Sequence, residues 1–329
     1  MTTLPDWMQL SGPIHIGISS CLLGEPVRFD GRHKRDAYIT GTLAAHFEFV
    51  PVCPEVAVGL GVPRPPIRLM AADDVRDALP RALGVRDPAL DPTDALRAYG
   101  RRMAVELGGL SGYLLKRGSP SCGMERVPVY RPGGGAPRRN GVGLYAGALL
   151  AALPELPAEE EGRLGDPVLR DNFIERVYAY RRWQALRAAG LSAARLADFH
   201  ARHRLALMAH GVEPARRLGQ LVAGAGQRPL VALAADYGRG FMALLRRKAT
   251  RRSHSTVLRH LQGTLQRALD GADRAELTET IAAYHKGDVP LIVPLTLLRH
   301  HFRRHPHPTV AGQTYLEPHP RERMLREGV

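Results

Sequence analysis

Three cysteines, each placed where an apolar run breaks into a turn, constrain this chain more than any other feature. Cys21 follows Ile14–Ile18 within Ser19-Ser20-Cys21-Leu22-Leu23-Gly24. Cys53 closes Val50-Pro51-Val52 and is followed by Pro54-Glu55, and Cys122 lies in Lys116-Arg117-Gly118-Ser119-Pro120-Ser121-Cys122-Gly123. Gly, Pro and Ser after short apolar runs predict strand ends that turn. Three turn cysteines without a fourth point to one site with three thiolate ligands and an open coordination position. They cannot complete a disulfide framework, which favours metal or catalytic use.

The surrounding pattern predicts an α/β domain with a largely parallel sheet. Apolar runs at Ile14–Ile18, Phe49–Val52 and Gly112–Lys116 read as strands. Helical spacing over Tyr38–Phe47, residues 92–109 and Leu144–Leu153 supplies the connections. Gly59–Pro66 reads as a stiff loop, Arg131–Gly143 as a flexible one, and the acidic segment Pro154–Gly162 as a helix cap or surface turn. In a parallel sheet ligands sit beyond the carboxyl ends of the strands, where all three cysteines fall.

Helical periodicity takes over further on. Phe173–Leu186 is predicted helical. Beyond it lie four apolar groups: Phe199, Leu205, Leu207 and Met208; Leu218, Leu221 and Val222; Phe241, Met242, Leu244 and Leu245; Val257, Leu258, Leu261 and Leu265. The expected organisation is an N-terminal tail over 1–13, the α/β domain over 14–165, a connecting helix over 166–196 and an all-α C-terminal domain over 197–329, loosely packed after Pro318.

Of the formal net charge of +14, the last of these carries most: 21 Lys/Arg against 11 Asp/Glu. Such a surface favours polyanions. The run Arg246-Arg247-Lys248-Ala249-Thr250-Arg251-Arg252-Ser253-His254 reads as a basic helix face that binds phosphates or is simply solvated. Arg299-His300-His301-Phe302-Arg303-Arg304-His305 could extend it; its arginines argue against a metal site. No run is long and apolar enough for a membrane span, and the start lacks the pattern of a signal peptide, so a cytoplasmic setting with reduced thiols is expected, with no membrane and no obligate protein partner.

Spacings of 32 and 69 residues between the cysteines match no local zinc or ferredoxin pattern. From the residues alone, a 4Fe–4S cluster with one iron free of cysteine and three small buried apolar side chains both remain open. The linked motifs Ser19-Ser20-Cys21-Leu22-Leu23-Gly24-Glu25-Pro26-Val27-Arg28-Phe29-Asp30-Gly31, Cys53-Pro54-Glu55, Gly61-Val62-Pro63-Arg64-Pro65-Pro66 and Ser119-Pro120-Ser121-Cys122-Gly123 resemble those of the thiouracil desulfidase family over roughly residues 14–150. The Gly-rich stretch at 133–143 departs from the family pattern. Phe199–His210, His260–Gly263, Val289–Leu298 and Gln313–Pro320 resemble a helical companion domain, as in bacterial tRNA 4-thiouridine desulfidases.

The resemblance implies that Cys21, Cys53 and Cys122 hold a 4Fe–4S cluster whose open iron takes the sulfur of a thiolated pyrimidine. It implies hydrolytic desulfuration without net redox change, with Glu55 as proton carrier and Ser119, or less directly Ser121, orienting water or substrate. Taken alone, Glu55 reads equally as a surface carboxylate or turn cap, and the serines as turn formers. Arg28, Asp30, Arg64 and Lys116 could position a phosphate or the pyrimidine edge, and Arg28 with Asp30 could instead form an ion pair. The implied substrate is 4-thiouridine in tRNA or a thiolated uridine nucleotide, with Arg246, Arg247, Lys248, Arg251 and Arg252 contacting RNA. Two other readings stay open: a desulfidase of free 2-thiouracil or 4-thio-UMP with a structural helical half, and a non-catalytic iron–sulfur sensor that binds nucleic acid.

Overall fold

In the computed structural model, which describes residues 5–71 and 79–327, the first apolar run becomes an inner strand of a parallel sheet. The order is α1 (Asp6–Gln9), β1 (His15–Ser19), α2 (Ala37–Thr40), β2 (Glu48–Val52), α3 (Pro54–Ala57), β3 (Ile67–Met70), β4 (Arg81–Gly84), α4 (Thr93–Glu106), β5 (Gly112–Leu115), β6 (Val127–Tyr130), β7 (Arg138–Gly141), α5 (Leu144–Ala152), β8 (Ala158–Glu160) and α6 (Pro167–Ala188). The chain divides into a unit spanning Ser11–Phe173 and a second that combines residues 5–10 with 174–327. The division falls inside the segment predicted as a connecting helix. Residues 5–10, predicted as tail, belong to the second unit because Trp7 packs on Phe199 with ring centroids 5.1 Å apart.

The first unit holds a wholly parallel sheet in the order β2-β1-β5-β8 and a mixed sheet in the order β4-β3-β6-β7. Strand β1 is buried on both faces, with Ile16 and Ile18 fully covered, as expected for a strand inside a parallel sheet. Gly17 between them has a steric cause: a Cβ there would lie 2.4 Å from the Tyr113 ring on neighbouring β5. Leu69, Ala82, Leu96, Val127, Val129 and Leu144 close a second core over the mixed sheet.

Three sequence expectations need correction in this unit. The helix expected over Tyr38–Phe47 shortens to α2 and a 3₁₀ turn at Leu43–Ala45. The β-branched Ile39 and Thr40 and then Gly41 do not sustain it, and the Thr40 hydroxyl donates back to the Asp36 carbonyl. The Arg131–Gly143 loop contains β7, paired antiparallel with β6; Gly134 and Gly135 take positive φ (82° and 87°) and supply the hairpin turn. The acidic segment is not a surface turn: Ala158–Glu160 is buried β8, beside β5. Helix α5 starts where Gly143, Leu144 and Ala146 donate backbone N–H bonds to the carbonyls of Gly123, Pro120 and Ser121, at 2.8, 3.0 and 3.1 Å. The Cys122 loop thereby satisfies donors that a helix N-terminus leaves open.

The second unit continues through α7 (Ala193–His210), α8 (Val212–Ala223), α9 (Leu230–Leu245), α10 (Arg251–Leu265), α11 (Gly271–Lys286), α12 (Ile292–Arg304) and α13 (Pro320–Glu327). Of the apolar positions read from periodicity, all are buried except Met208 and Leu221, which are half-buried. Two further corrections arise. The end after Pro318 is packed: Glu322 on α13 and Arg182 on α6 form an ion pair at 2.6 Å, each side chain only 2% exposed. The basic run is not one helix face, because α9 ends at Leu245 and α10 begins at Arg251 with Thr250 as its cap. Beneath it, Glu175 meets His210 at 3.2 Å and Arg326 at 3.4 Å, and His254 bonds the Tyr315 hydroxyl at 2.9 Å. Among the described residues no helix is long and apolar enough to cross a membrane.

Two outcomes follow. A Cβ at residue 143 would sit 2.5 Å from the Ser121 carbonyl oxygen, so Gly143→Ala should cost about 1–3 kcal/mol in denaturant unfolding, the usual penalty of overpacking. Burial holds His200 and His254 down at about 4 and His203 at about 3, against 6.5 for the ordinary group. The unfolded chain therefore takes up these protons before the folded one does. Stability is full above pH 6.5 and is lost as pH falls toward 4. Thermal unfolding followed by circular dichroism should show a lower midpoint at pH 5 than at pH 7.5, and His254→Gln should narrow that difference.

Candidate active site

The register β2-β1-β5 places three consecutive parallel strands with their carboxyl ends together, and each end carries one cysteine. Cys21 sits in the 3₁₀ turn Ser20–Leu22 directly after β1. Its turn is held from outside by Lys34 N–H on the Cys21 carbonyl (2.8 Å) and Asp36 N–H on the Leu22 carbonyl (3.0 Å). Cys53 follows β2 as the N-cap of α3, whose first residue Pro54 has the fixed φ that suits that position. Cys122 lies in the loop after β5, where Ser119 Oγ accepts the N–H groups of Ser121 (3.2 Å) and Cys122 (3.1 Å). All three are free thiols and line one cavity of about 360 Å³.

Burial opposes their ionisation. It pushes the Cys21 thiol up to about 11, although Lys116 and Arg28 pull the other way, and it raises Cys53. Cys122 is pushed up furthest, by burial and then by the charges of Glu55, Cys53 and Cys21, against a hydrogen bond with Ser19. Thiols this far from water need a bound cation to become thiolates. Sulfur donors on three sides of a cavity fit an iron–sulfur group. Among the described residues no three His, Cys, Asp or Glu side chains gather into a group that could hold a single metal ion.

Glu55 is held at both oxygens. Arg64 donates to Oε2 through Nε at 2.9 Å and Nη2 at 2.6 Å, and Ser121 Oγ donates to Oε1 at 2.8 Å. Arg64 Nη1 donates to the carbonyls of Val27 and Gly61, each at 2.9 Å, so the guanidinium ties the Cys21 and Cys53 turns to the carboxylate. Of the two serines, Ser121 donates to Glu55, and Ser119 lines the cavity while its Oγ accepts the two loop N–H groups.

Among the basic candidates, Arg28, Arg64 and Lys116 line the cavity. Lys116 also pairs with Glu161 and donates to the Arg117 carbonyl at 3.1 Å. Asp30 does not line the cavity; it lies 3.6 Å from Arg28, the ion pair that was the alternative for these two residues. Sequence reasoning missed Ser19, Phe29, Lys34 and Arg117, which share the lining. Arg117 and Phe29 adjoin residues already singled out, and that adjacency was the available signal. In the second unit Arg246, Arg247, Lys248 and Arg252 are exposed. Arg251 is exposed too, yet donates to the Tyr284 carbonyl at 2.8 Å and lies over its ring.

Comparison with known proteins agrees with this division of the chain. Residues 16–161 match the family model described as 2-thiouracil desulfurase, and residues 204–320 match a protein of unknown function, DUF1722. The uncharacterized protein YbgA of Escherichia coli (strain K12) is 32% identical over 157 residues, which cover 47% of this chain and 93% of YbgA. A solved structure titled [4Fe-4S]-dependent thiouracil desulfidase TudS is 30% identical and covers 48% of this chain and 97% of its own, with a TM-score of 0.35. The first family match runs from β1 to the residue after β8 and contains every cysteine of the chain. Over residues 16–161 the chain therefore belongs to the 2-thiouracil desulfurase family, and it carries that domain ahead of a DUF1722 domain.

Proposed function

We propose that this protein is a hydrolytic desulfidase that removes sulfur from 4-thiouridine in tRNA, or from a thiolated uridine nucleotide, giving uridine and sulfide in the cytoplasm. The observation that carries the reading is the convergence of Cys21, Cys53 and Cys122 on one cavity that Glu55 also lines. The three cysteines would hold a 4Fe–4S cluster. When bound, it supplies an iron without a cysteine ligand, a Lewis acid for a thiocarbonyl sulfur.

The chain's own groups do the rest. Arg64 fixes Oε2 of Glu55, so the carboxylate receives or returns a proton at Oε1, where the Ser121 hydroxyl already sits. Water adds to the carbon that bears sulfur and gives one proton to Oε1. As the C–S bond breaks and the carbonyl forms, that proton and the one left on the added hydroxyl leave with the sulfur as hydrogen sulfide, so the carboxylate is restored and no electron is gained or lost. Arg28, Lys34, Lys116 and Arg117 surround the cavity with positive charge, which suits a nucleotide phosphate better than a free base. For a polymer substrate, the second unit offers Arg246, Arg247, Lys248 and Arg252 as an exposed basic surface. Arg251 and Arg252 occupy the first turn of α10, the positive end of its dipole, where like charge is unfavourable and a polyanion would relieve it.

Anaerobically purified protein should contain about four iron and four acid-labile sulfide per chain and release sulfide from thiolated tRNA without a reductant. Cys21→Ser, Cys53→Ser or Cys122→Ser should abolish both. Zinc, or no metal after reconstitution, would sink the reading. Glu55→Gln should keep the iron and lower kcat by about a hundredfold with little change in KM, the mark of a lost proton carrier. Activity on thiolated tRNA should fall steeply between 50 and about 200 mM salt, and replacing Arg246, Arg247 and Lys248 together by alanine should raise KM for tRNA alone. Salt-insensitive turnover confined to free 2-thiouracil would remove tRNA from the reading.

A further inference from the structure

We infer that Glu160 and Glu161, at the end of the edge strand β8, are positioning residues that hold the Cys122 loop in the shape its ligand role requires. Strand β8 pairs with β5 through Leu115 and Glu160, so its last residues run alongside the point where the chain leaves β5 for the loop. Glu161 grips the entrance: Oε1 pairs with the Lys116 ammonium, and Oε2 accepts the Arg117 N–H at 2.7 Å. Glu160 grips the exit: its Oε1 accepts the N–H groups of Met124 at 2.8 Å and Glu125 at 3.4 Å. Cys122 sits between the two grips.

Burial sets the Glu160 carboxylate apart from a solvated side chain. Glu160 is 2% exposed, and a buried carboxylate is stable only where donors converge on it. Here the donors are backbone groups of the loop itself. Glu159 completes the brace, because its Oε1 accepts from Arg163 Nε at 2.6 Å and from the Glu160 N–H at 3.1 Å. Neither Glu160 nor Glu161 lines the cavity, so each acts through the loop rather than on a substrate. Lys116 is thereby held as well, since Glu161 pairs with it where it lines the cavity. A loop clamped at both ends loses little conformational entropy on binding a metal group, which is the physical content of preorganisation.

This inference rests on the reading of Cys122 as a cluster ligand, and the test separates the two. Glu160→Ala, Glu160→Gln and Glu161→Ala are compared with the unaltered protein in two measurements. One is the half-life of the reconstituted cluster against an iron chelator, followed by absorbance. The other is the alkylation rate of each cysteine in the cluster-free protein, followed by mass spectrometry. Both alanine variants should shorten the half-life and speed alkylation of Cys122, but not of Cys21 or Cys53, by about fivefold, the change that losing one ordinary hydrogen bond produces. Glu160→Gln retains an acceptor oxygen and should restore both values to within about twofold. A cluster present in every variant with an unaltered half-life, or Cys122 alkylation that does not change, would overturn the clamp. Absence of a cluster from the unaltered protein would overturn the ligand reading and the clamp with it. Where Glu160→Ala does not fold, shown by equal alkylation of all three cysteines, Glu161→Ala leaves the buried acceptor in place and decides the matter.

Discussion

Parallel pairing of β2, β1 and β5 is the constraint on which the site depends. Parallel strands that are neighbours must end on the same side, so three turns separated by 32 and 69 residues of sequence open into one space. The pairing in turn depends on close packing inside the sheet, where Gly17 gives way to the ring of Tyr113 and Ile16 and Ile18 are sealed from water. A register slip of one residue would reverse every side chain on β1. It would also carry Cys21 away from its partners.

Around this frame the unit uses charge to fix shape. The Arg64 guanidinium is almost wholly buried, yet each of its three nitrogens finds an acceptor: the Glu55 carboxylate or the carbonyls of Val27 and Gly61. One cation thus locks the Cys21 and Cys53 turns and aims the carboxylate at Ser121. At the two ends of the Cys122 loop the same is done with opposite sign by Glu160, the last residue of β8, and Glu161 just after it. Buried charges are costly unless paired, and here each pairing restrains a turn that bears a cysteine.

The second unit follows a different logic. Its surface is rich in arginine, whereas its interior combines apolar helix faces with buried neutral histidines and the pairs Glu175–His210 and Arg182–Glu322. Histidines kept uncharged by burial add no positive charge inside a unit that already has an excess outside.

Much of this was legible in the sequence, for reasons that are local. Strand ends, the amphipathic helices and the cysteine turns follow from side-chain period and from Gly, Pro and Ser, which act over a few residues. What the sequence could not disclose depends on distant partners. Glu159, Glu160 and Glu161 look like a solvated acidic run until Arg163 and the Arg117, Met124 and Glu125 backbone approach them. Ser121 and Ser119 are indistinguishable around Pro120 until Glu55 arrives from 66 residues away to choose the first. Likewise Glu322 reads as part of a loose end until Arg182 meets it across 140 residues. The sequence by itself determined which segments are strands, helices and turns, and that three thiols end their runs alike. Tertiary structure alone decided which polar groups face one another, because a buried charge takes its role from whichever donor folding brings within about 3 Å.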